Sequence, residues 1–191
     1  MTRPTTIAAP QAEADTRRWL ERAVIGLNLC PFAKAVHVKA QIHYAVYLAA
    51  DDNALIDMLL AEADELAALD ASVCDTTLLI APNTLADFLD FNDFTARAER
   101  RLARAGFDGV FQLASFHPRF QFGGTEPDDI ENATNRAPYP TLHLLREDSV
   151  SRAVEAFPEA EAIFERNIET LQALGPAGWA ALDVGPGSAR P

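Results

Sequence analysis

The chain alternates between segments with apolar residues at helical spacing and short apolar runs rich in β-forming residues. The runs at 42–48, 76–81, 110–116 and 141–145 have strand length, and helical patterns separate the first three. A helix between two strands predicts a crossover connection within one sheet. We therefore expect an α/β fold, with α+β as the alternative. The expected architecture is a compact sandwich of a four-stranded parallel or mixed sheet with five main helices.

Several helix boundaries can be predicted from single residues. Thr84 is the expected N-cap of the third helix, and Gly106 is its expected C-terminal cap. Two further helices are predicted after the last strand, at about 148–156 and 158–174, the second beginning at Pro158.

The ends of the chain have a different composition from its middle. Residues 1–11 are rich in Thr, Ala and Pro without a periodic pattern, which predicts a mobile tail. Residues 176–191 are rich in Gly and Pro and predict a mostly irregular C-terminal tail. A single globular domain is expected over residues 12–175.

The charge of the chain limits its partners. The formal net charge is −12, and Lys34 and Lys39 are the only two lysines among 191 residues. Such a chain lacks the basic surface that nucleic acids and anionic membranes require, so neither is an expected partner. The N-terminus has no apolar signal segment, which predicts a cytoplasmic location.

Chemically active residues are concentrated in the long connection before the last strand. A short helix at about 127–136 would place Asp128, Asn132, Asn135 and Arg136 on one face. That face suits a small polar or anionic molecule, and a solvated surface helix is the plainer alternative. Arg119, Arg136 and Arg146 are candidate anion-binding residues, because guanidinium groups suit carboxylate and phosphate, or they form ordinary surface ion pairs.

The candidate catalytic residues are His117, His143, Asp128 and Cys30. His117 follows a strand, where α/β proteins tend to bind ligands, and is the predicted general acid or base, with Asp128 orienting it. His143 lies mid-strand, on the opposite side from Leu142 and Leu144, and forms an acid/base pair with His117, the floor of the site, or part of the core. Cys30 is a nucleophile if a histidine lies nearby, or a small buried hydrophobe. Because a helix precedes it, the helix dipole is expected to raise its pKa.

These residues support three hypotheses. The leading one is a small-molecule enzyme that uses acid/base chemistry, with hydrolase-type chemistry favoured and no particular cofactor indicated. The second is a metal-binding protein that uses His117, His143, Asp128 and Cys30, although no closely spaced ligand pair supports it. The third is a non-catalytic interaction protein, in which the polar connection only folds the loop and caps the edge of the sheet.

Three short motifs, spread over most of the chain, form a specific combination. They are Asn28-Leu29-Cys30-Pro31-Phe32, Phe116-His117-Pro118, and Asn135-Arg136-Ala137-Pro138-Tyr139-Pro140 followed by His143. This combination resembles an uncharacterised bacterial family that is known only as a domain of unknown function. Ala137 stands where the family pattern has Ser. The resemblance implies an identity but no activity, substrate or cofactor.

Overall fold

The computed structural model describes residues 6–156 and 162–187, which form an α/β fold around a four-stranded mixed sheet. The helices are α1 (Ala9–Trp19), α2 (Ala33–Val38), α3 (Asp52–Ala68), α4 (Phe88–Leu102), α5 (Glu147–Ala156) and α6 (Ile163–Ala181). The strands are β1 (Ile42–Val46), β2 (Thr76–Ile80), β3 (Phe111–Phe116) and β4 (Thr141–Arg146). π-Helical turns extend α1 (Leu20–Ile25) and α4 (Ala103–Phe107), and a 3₁₀ helix (Ile130–Asn135) precedes β4. The predicted fold class is confirmed.

The strands are ordered β1-β2-β4-β3 across the sheet. β1 and β2 are parallel, as expected for strands that are joined through a helix. β4 lies between β2 and β3 and is antiparallel to both. The connection at 117–140 therefore returns the chain from the edge strand β3 into the middle of the sheet.

One face of the sheet is covered by α3 and α4, whose apolar stripes pack on it to form the larger core cluster. Leu79, Leu142 and Leu144 contribute the central sheet side chains and are almost completely buried. Each of these two helices begins at an aspartate whose carboxylate accepts the first backbone N–H groups, Asp51 for α3 and Asp87 for α4. Asp87, and not Thr84, therefore caps α4.

The other face of the sheet packs against α1 and its π-helical extension. Trp19 is buried there and meets Phe116 edge-to-face, with ring centroids 5.1 Å apart. Tyr44, Leu78 and Ile80 complete this cluster from the sheet. No helix among the described residues is both long enough and apolar enough to span a bilayer.

Both predicted tails are partly helical. α1 begins at Ala9, inside the segment 1–11 that was expected to be a tail; residues 1–5 lie outside the described part. At the other end, Gly175 has a φ of 67° and breaks α6, but the helix resumes and continues to Ala181. The segment at 176–181 is therefore helical. The predicted helix start at Pro158 lies outside the described residues. Gly106 lies near the end of the π-helical turn that extends α4, with the left-handed φ (94°) that only glycine adopts easily.

Candidate functional site

The two candidate histidines lie on opposite faces of the sheet. His117 follows β3, and its ring stacks on Phe91 of α4 with centroids 5.1 Å apart. His143 projects from β4 on the other face, where its ring lies 6.1 Å from that of Phe116. The sheet separates the two imidazoles, so they do not form an acid/base pair.

His117 is fully buried, and both of its ring nitrogens are engaged. Nδ1 accepts the backbone N–H of Arg119 at 3.0 Å, and Nε2 donates to the Leu85 carbonyl at 3.0 Å. Burial lowers the pKa of His117, so the ring is neutral and ties the start of the connection to the segment before α4. The geometry gives this residue a positioning role in the fold.

His143 is only partly buried and makes one hydrogen bond. Its Nε2 lies 2.6 Å from Oγ1 of Thr76, which also lies 2.6 Å from the Leu144 carbonyl. A carbonyl can only accept, so the single hydroxyl proton of Thr76 goes to Leu144 and the hydroxyl must accept from the imidazole. The ring proton is thereby assigned to Nε2, and Nδ1 carries the lone pair. Burial lowers the pKa of His143 to about 4.

Nδ1 of His143 has no hydrogen-bond partner among the described residues, and it is not sealed from solvent. A neutral imidazole with one nitrogen fixed and the other unpaired can accept a proton or a hydrogen bond from a ligand. His143 is therefore the sequence-predicted residue whose geometry best suits acid/base chemistry.

Cys30 lies between the π-helical turn and α2, and packs against the apolar cluster on the same side of the sheet as His143. Burial raises the pKa of its thiol, while the backbone N–H groups of Phe32 and Ala33 act in the opposite direction. The preceding helix alone was expected to raise this pKa, and the start of α2 just after Cys30 partly offsets that effect. The net result is a protonated thiol at neutral pH.

The polar residues of the connection mostly bind its own backbone. Asn132 is fully buried: its amide oxygen accepts from Phe122 N–H and Thr125 Oγ1, and its amide nitrogen donates to the Glu126 carbonyl. The Asn135 amide donates to the Ser115 carbonyl at 3.3 Å. These asparagines hold the loop in one conformation.

The predicted helix face does not form. The 3₁₀ helix is shorter than expected, so that Asp128 precedes it and Arg136 follows it. Asp128 is exposed, near enough to Arg136 to interact electrostatically with its guanidinium. The Asn132 side chain is buried and bonds within the loop.

The three candidate anion-binding arginines all donate to backbone carbonyls. Arg119 donates to Ala86 O at 2.8 Å and Arg136 to Phe120 O at 3.2 Å. Arg146 donates to Leu66 O and Leu69 O, which stabilises the C-terminal end of α3. Their geometry favours stabilisation of the fold over recognition of an anion.

The structure does not support the metal-binding hypothesis. Across residues 6–156 and 162–187, no three His, Cys, Asp or Glu side chains group closely enough to hold a metal ion. The set His117, His143, Asp128 and Cys30 is not brought together.

A buried charged network around Asp15 was missed by the sequence analysis. Its carboxylate is fully buried and accepts from Tyr139 Oη at 2.6 Å, Gly187 N–H at 2.9 Å and Arg18 Nη2 at 2.5 Å. Burial alone would raise the pKa of Asp15, but these hydrogen bonds together lower it. The signal was present, because Asp15 falls on the buried stripe of α1 between Ala12 and Trp19.

A histidine–carboxylate pair on the α3 side of the sheet was also not predicted from the sequence. His43 Nε2 of β1 lies 3.3 Å from Oε2 of Glu62 in α3. The two residues are far apart in sequence and no motif connects them, so only the packing of α3 on β1 shows their proximity.

By its fold and candidate site, this chain is an α/β protein with a mixed four-stranded sheet and a half-buried neutral histidine on one sheet face. The model of a family described as protein of unknown function (DUF1415) matches residues 11–181, and the chain belongs to this family. The expectation of a family without an assigned function is thereby confirmed. Neither a curated protein nor a solved structure matches the chain.

Proposed function

We propose that this protein is an enzyme that acts on a small polar molecule, with His143 as the group that accepts a proton. The observation that carries the proposal is the contact between His143 and Thr76. It fixes the ring proton on Nε2 and leaves Nδ1 unpaired at a half-buried position. A positioned base of this kind suits activation of water or of a substrate hydroxyl, the hydrolase-type chemistry that the sequence favours.

The surroundings of His143 determine when it can act. Burial lowers its pKa to about 4, so the ring is neutral at physiological pH. The lone pair on Nδ1 is therefore available in nearly every protein molecule. A protonated ring would be costly at this position. We expect the imidazolium to form only while a negative charge develops on the adjacent substrate.

Cys30 is the second residue of the proposed site. It packs against a cluster that includes Leu78, the register partner of His143 in β2. With its raised pKa the sulfur carries a proton at neutral pH, so we assign it the role of a weak hydrogen-bond donor to substrate.

The proposal does not use the polar residues that hold the connection in place. His117, Asn132 and Arg136 donate to and accept from the backbone of the loop or of the segment before α4. We assign them to positioning the loop, and Asp128 stays an exposed candidate for substrate contact.

The test is a thermal-shift screen of sugars, amino acids, organic acids and nucleosides against wild type and His143→Gln. The Gln amide can replace Nε2 as a donor to Thr76 but removes the basic nitrogen. His37→Gln, on α2, is the matched control. We expect at least one compound to stabilise wild type and the control, and mass spectrometry to detect product with those two proteins only. Equal turnover by His143→Gln would contradict the proposal.

A second candidate is a non-catalytic binding protein, favoured by the complete use of the Asn132 amide inside the loop. It predicts compounds that bind without being converted. Equal binding by wild type and His143→Gln, with no product from either, would favour this candidate over the enzyme.

A further inference from the structure

A pocket of about 230 Å³ opens on the α3 side of the sheet, beside the first residues of β1 and β2. His43 and Thr77, which are register partners in the sheet, form one wall, and Glu62 and Glu65 of α3 form another. His143 projects from the opposite face, so this pocket is separate from the proposed catalytic site.

Glu62 is the polar centre of the pocket. Its Oε2 is buried and receives no hydrogen bond among the described residues, although His43 Nε2 lies 3.3 Å away. Burial raises the pKa of Glu62, His43 lowers it and neighbouring Glu65 raises it further. A buried carboxylate oxygen without a donor is costly, and a ligand that brings a donor would remove that cost.

The rest of the lining indicates what kind of donor fits. Leu66 is buried, while Leu69 and Val73 leave 44% and 62% of their surface exposed. The Thr77 hydroxyl makes no hydrogen bond within the described part of the chain. The pocket thus combines two carboxylates, one hydroxyl and the His43 imidazole with an uncovered aliphatic wall.

We propose that this pocket binds a small organic ammonium ion that carries a short alkyl group. The ammonium would donate to Glu62 and Thr77, with Glu65 adding a second negative charge nearby. The alkyl group would cover Leu69 and Val73. A bare metal ion does not suit the same residues, because within the described ranges no group of three ligating side chains is close enough to hold one.

The test uses n-butylammonium as the probe, with butanol and butyrate as neutral and anionic analogues of the same alkyl length. Backbone amide shifts of the full chain are followed by NMR up to about 50 mM, because so small a ligand binds weakly. We expect n-butylammonium to shift the amides of Cys74, Thr77 and Glu62 in a saturable manner, and butyrate to leave them unchanged.

Two variants and one control test whether n-butylammonium binds at the two carboxylates of this pocket. Glu62→Gln removes the central charge and should weaken n-butylammonium binding about tenfold or more, as expected for loss of a charge-assisted hydrogen bond. Glu65→Gln, at an exposed position, should weaken it less and should fold, so it tests the pocket even if Glu62→Gln does not fold. Asp64→Asn removes the same charge from the exposed side of α3 and should bind like wild type.

Three results would overturn the inference. They are no saturable shift in the pocket, equal shifts with butanol and n-butylammonium, and unchanged affinity in both Glu62→Gln and Glu65→Gln. None of them bears on His143, whose proposed function is tested by turnover.

Discussion

The Thr76 hydroxyl connects His143 Nε2 to the Leu144 carbonyl, at 2.6 Å from each. Because that carbonyl can only accept, the hydroxyl acts as acceptor toward the ring and fixes its proton on Nε2. Thr76 itself is buried in β2, so the contact is held by the sheet and not by a mobile loop. The proposed role of His143 as a base requires this kind of rigid support.

The lowered pKa of His143 predicts a particular dependence of stability on pH. As pH falls from 6.5 towards 4, the unfolded chain binds a proton at this residue while the folded protein does not. His143 therefore contributes stability that is complete above pH 6.5 and is lost as pH falls. Between pH 7 and pH 5 that loss amounts to about 2 kcal/mol.

Urea unfolding of wild type and His143→Gln at both pH values measures this difference. Wild type should lose about 2 kcal/mol more than the variant on going from pH 7 to pH 5. His117 also has a lowered pKa, but it is present in both proteins and cancels. Parallel losses in the two proteins would show that His143 titrates normally.

Asn132→Ala should destabilise the protein strongly. The substitution removes three hydrogen bonds and leaves Phe122 N–H and the Glu126 carbonyl without their partner in the loop. We expect a loss of about 3 kcal/mol, or roughly 10 °C in Tm. Asn92→Ala, on the exposed side of α4, is the matched control and should change Tm little. A Tm within about 2 °C of wild type for Asn132→Ala would contradict the structural role.

Substitutions in the Asp15 network should lower the free energy of unfolding by amounts that depend on what each one removes. Tyr139→Phe removes one hydrogen bond to Asp15 and should cost about 1.5 kcal/mol. Asp15→Ala also leaves the largely buried Arg18 guanidinium without this carboxylate and should cost about 4 kcal/mol. Glu13→Ala, which breaks an exposed ion pair on the same helix, should cost about 0.5 kcal/mol. Equal losses of unfolding free energy for Asp15→Ala and Glu13→Ala, measured with urea, would show that the buried network stabilises the protein no more than an exposed ion pair does.

Local sequence patterns were sufficient for most of the fold. Apolar residues at helical spacing predicted α3, capping signals such as Gly106 predicted α4, and the β-forming runs predicted all four strands. The position of β4 between β2 and β3 could not be predicted, because it depends on where the 117–140 connection returns and no local signal sets that. Gly175 was a correct break signal, but the Pro176 that follows it can also begin a new helical turn.

The candidate site was harder to predict. Alternation along β4 correctly placed His143 opposite Leu142 and Leu144, which lie in the α3–α4 core. The same alternation, continued past the end of β3, places His117 on the α4 side with Leu113, away from His143. His43 and Glu62 could not be connected at all, since their proximity depends on how α3 lies across β1.

The central claim is that His143 is a neutral base with its lone pair on Nδ1. Long-range proton–nitrogen NMR on the folded protein, with the His143 signals assigned through His143→Gln, measures both the tautomer and the titration of this ring. We predict the Nε2-protonated form at pH 7 and a titration midpoint near pH 4. A ring protonated on Nδ1, or one that titrates near pH 6.5, would contradict the account.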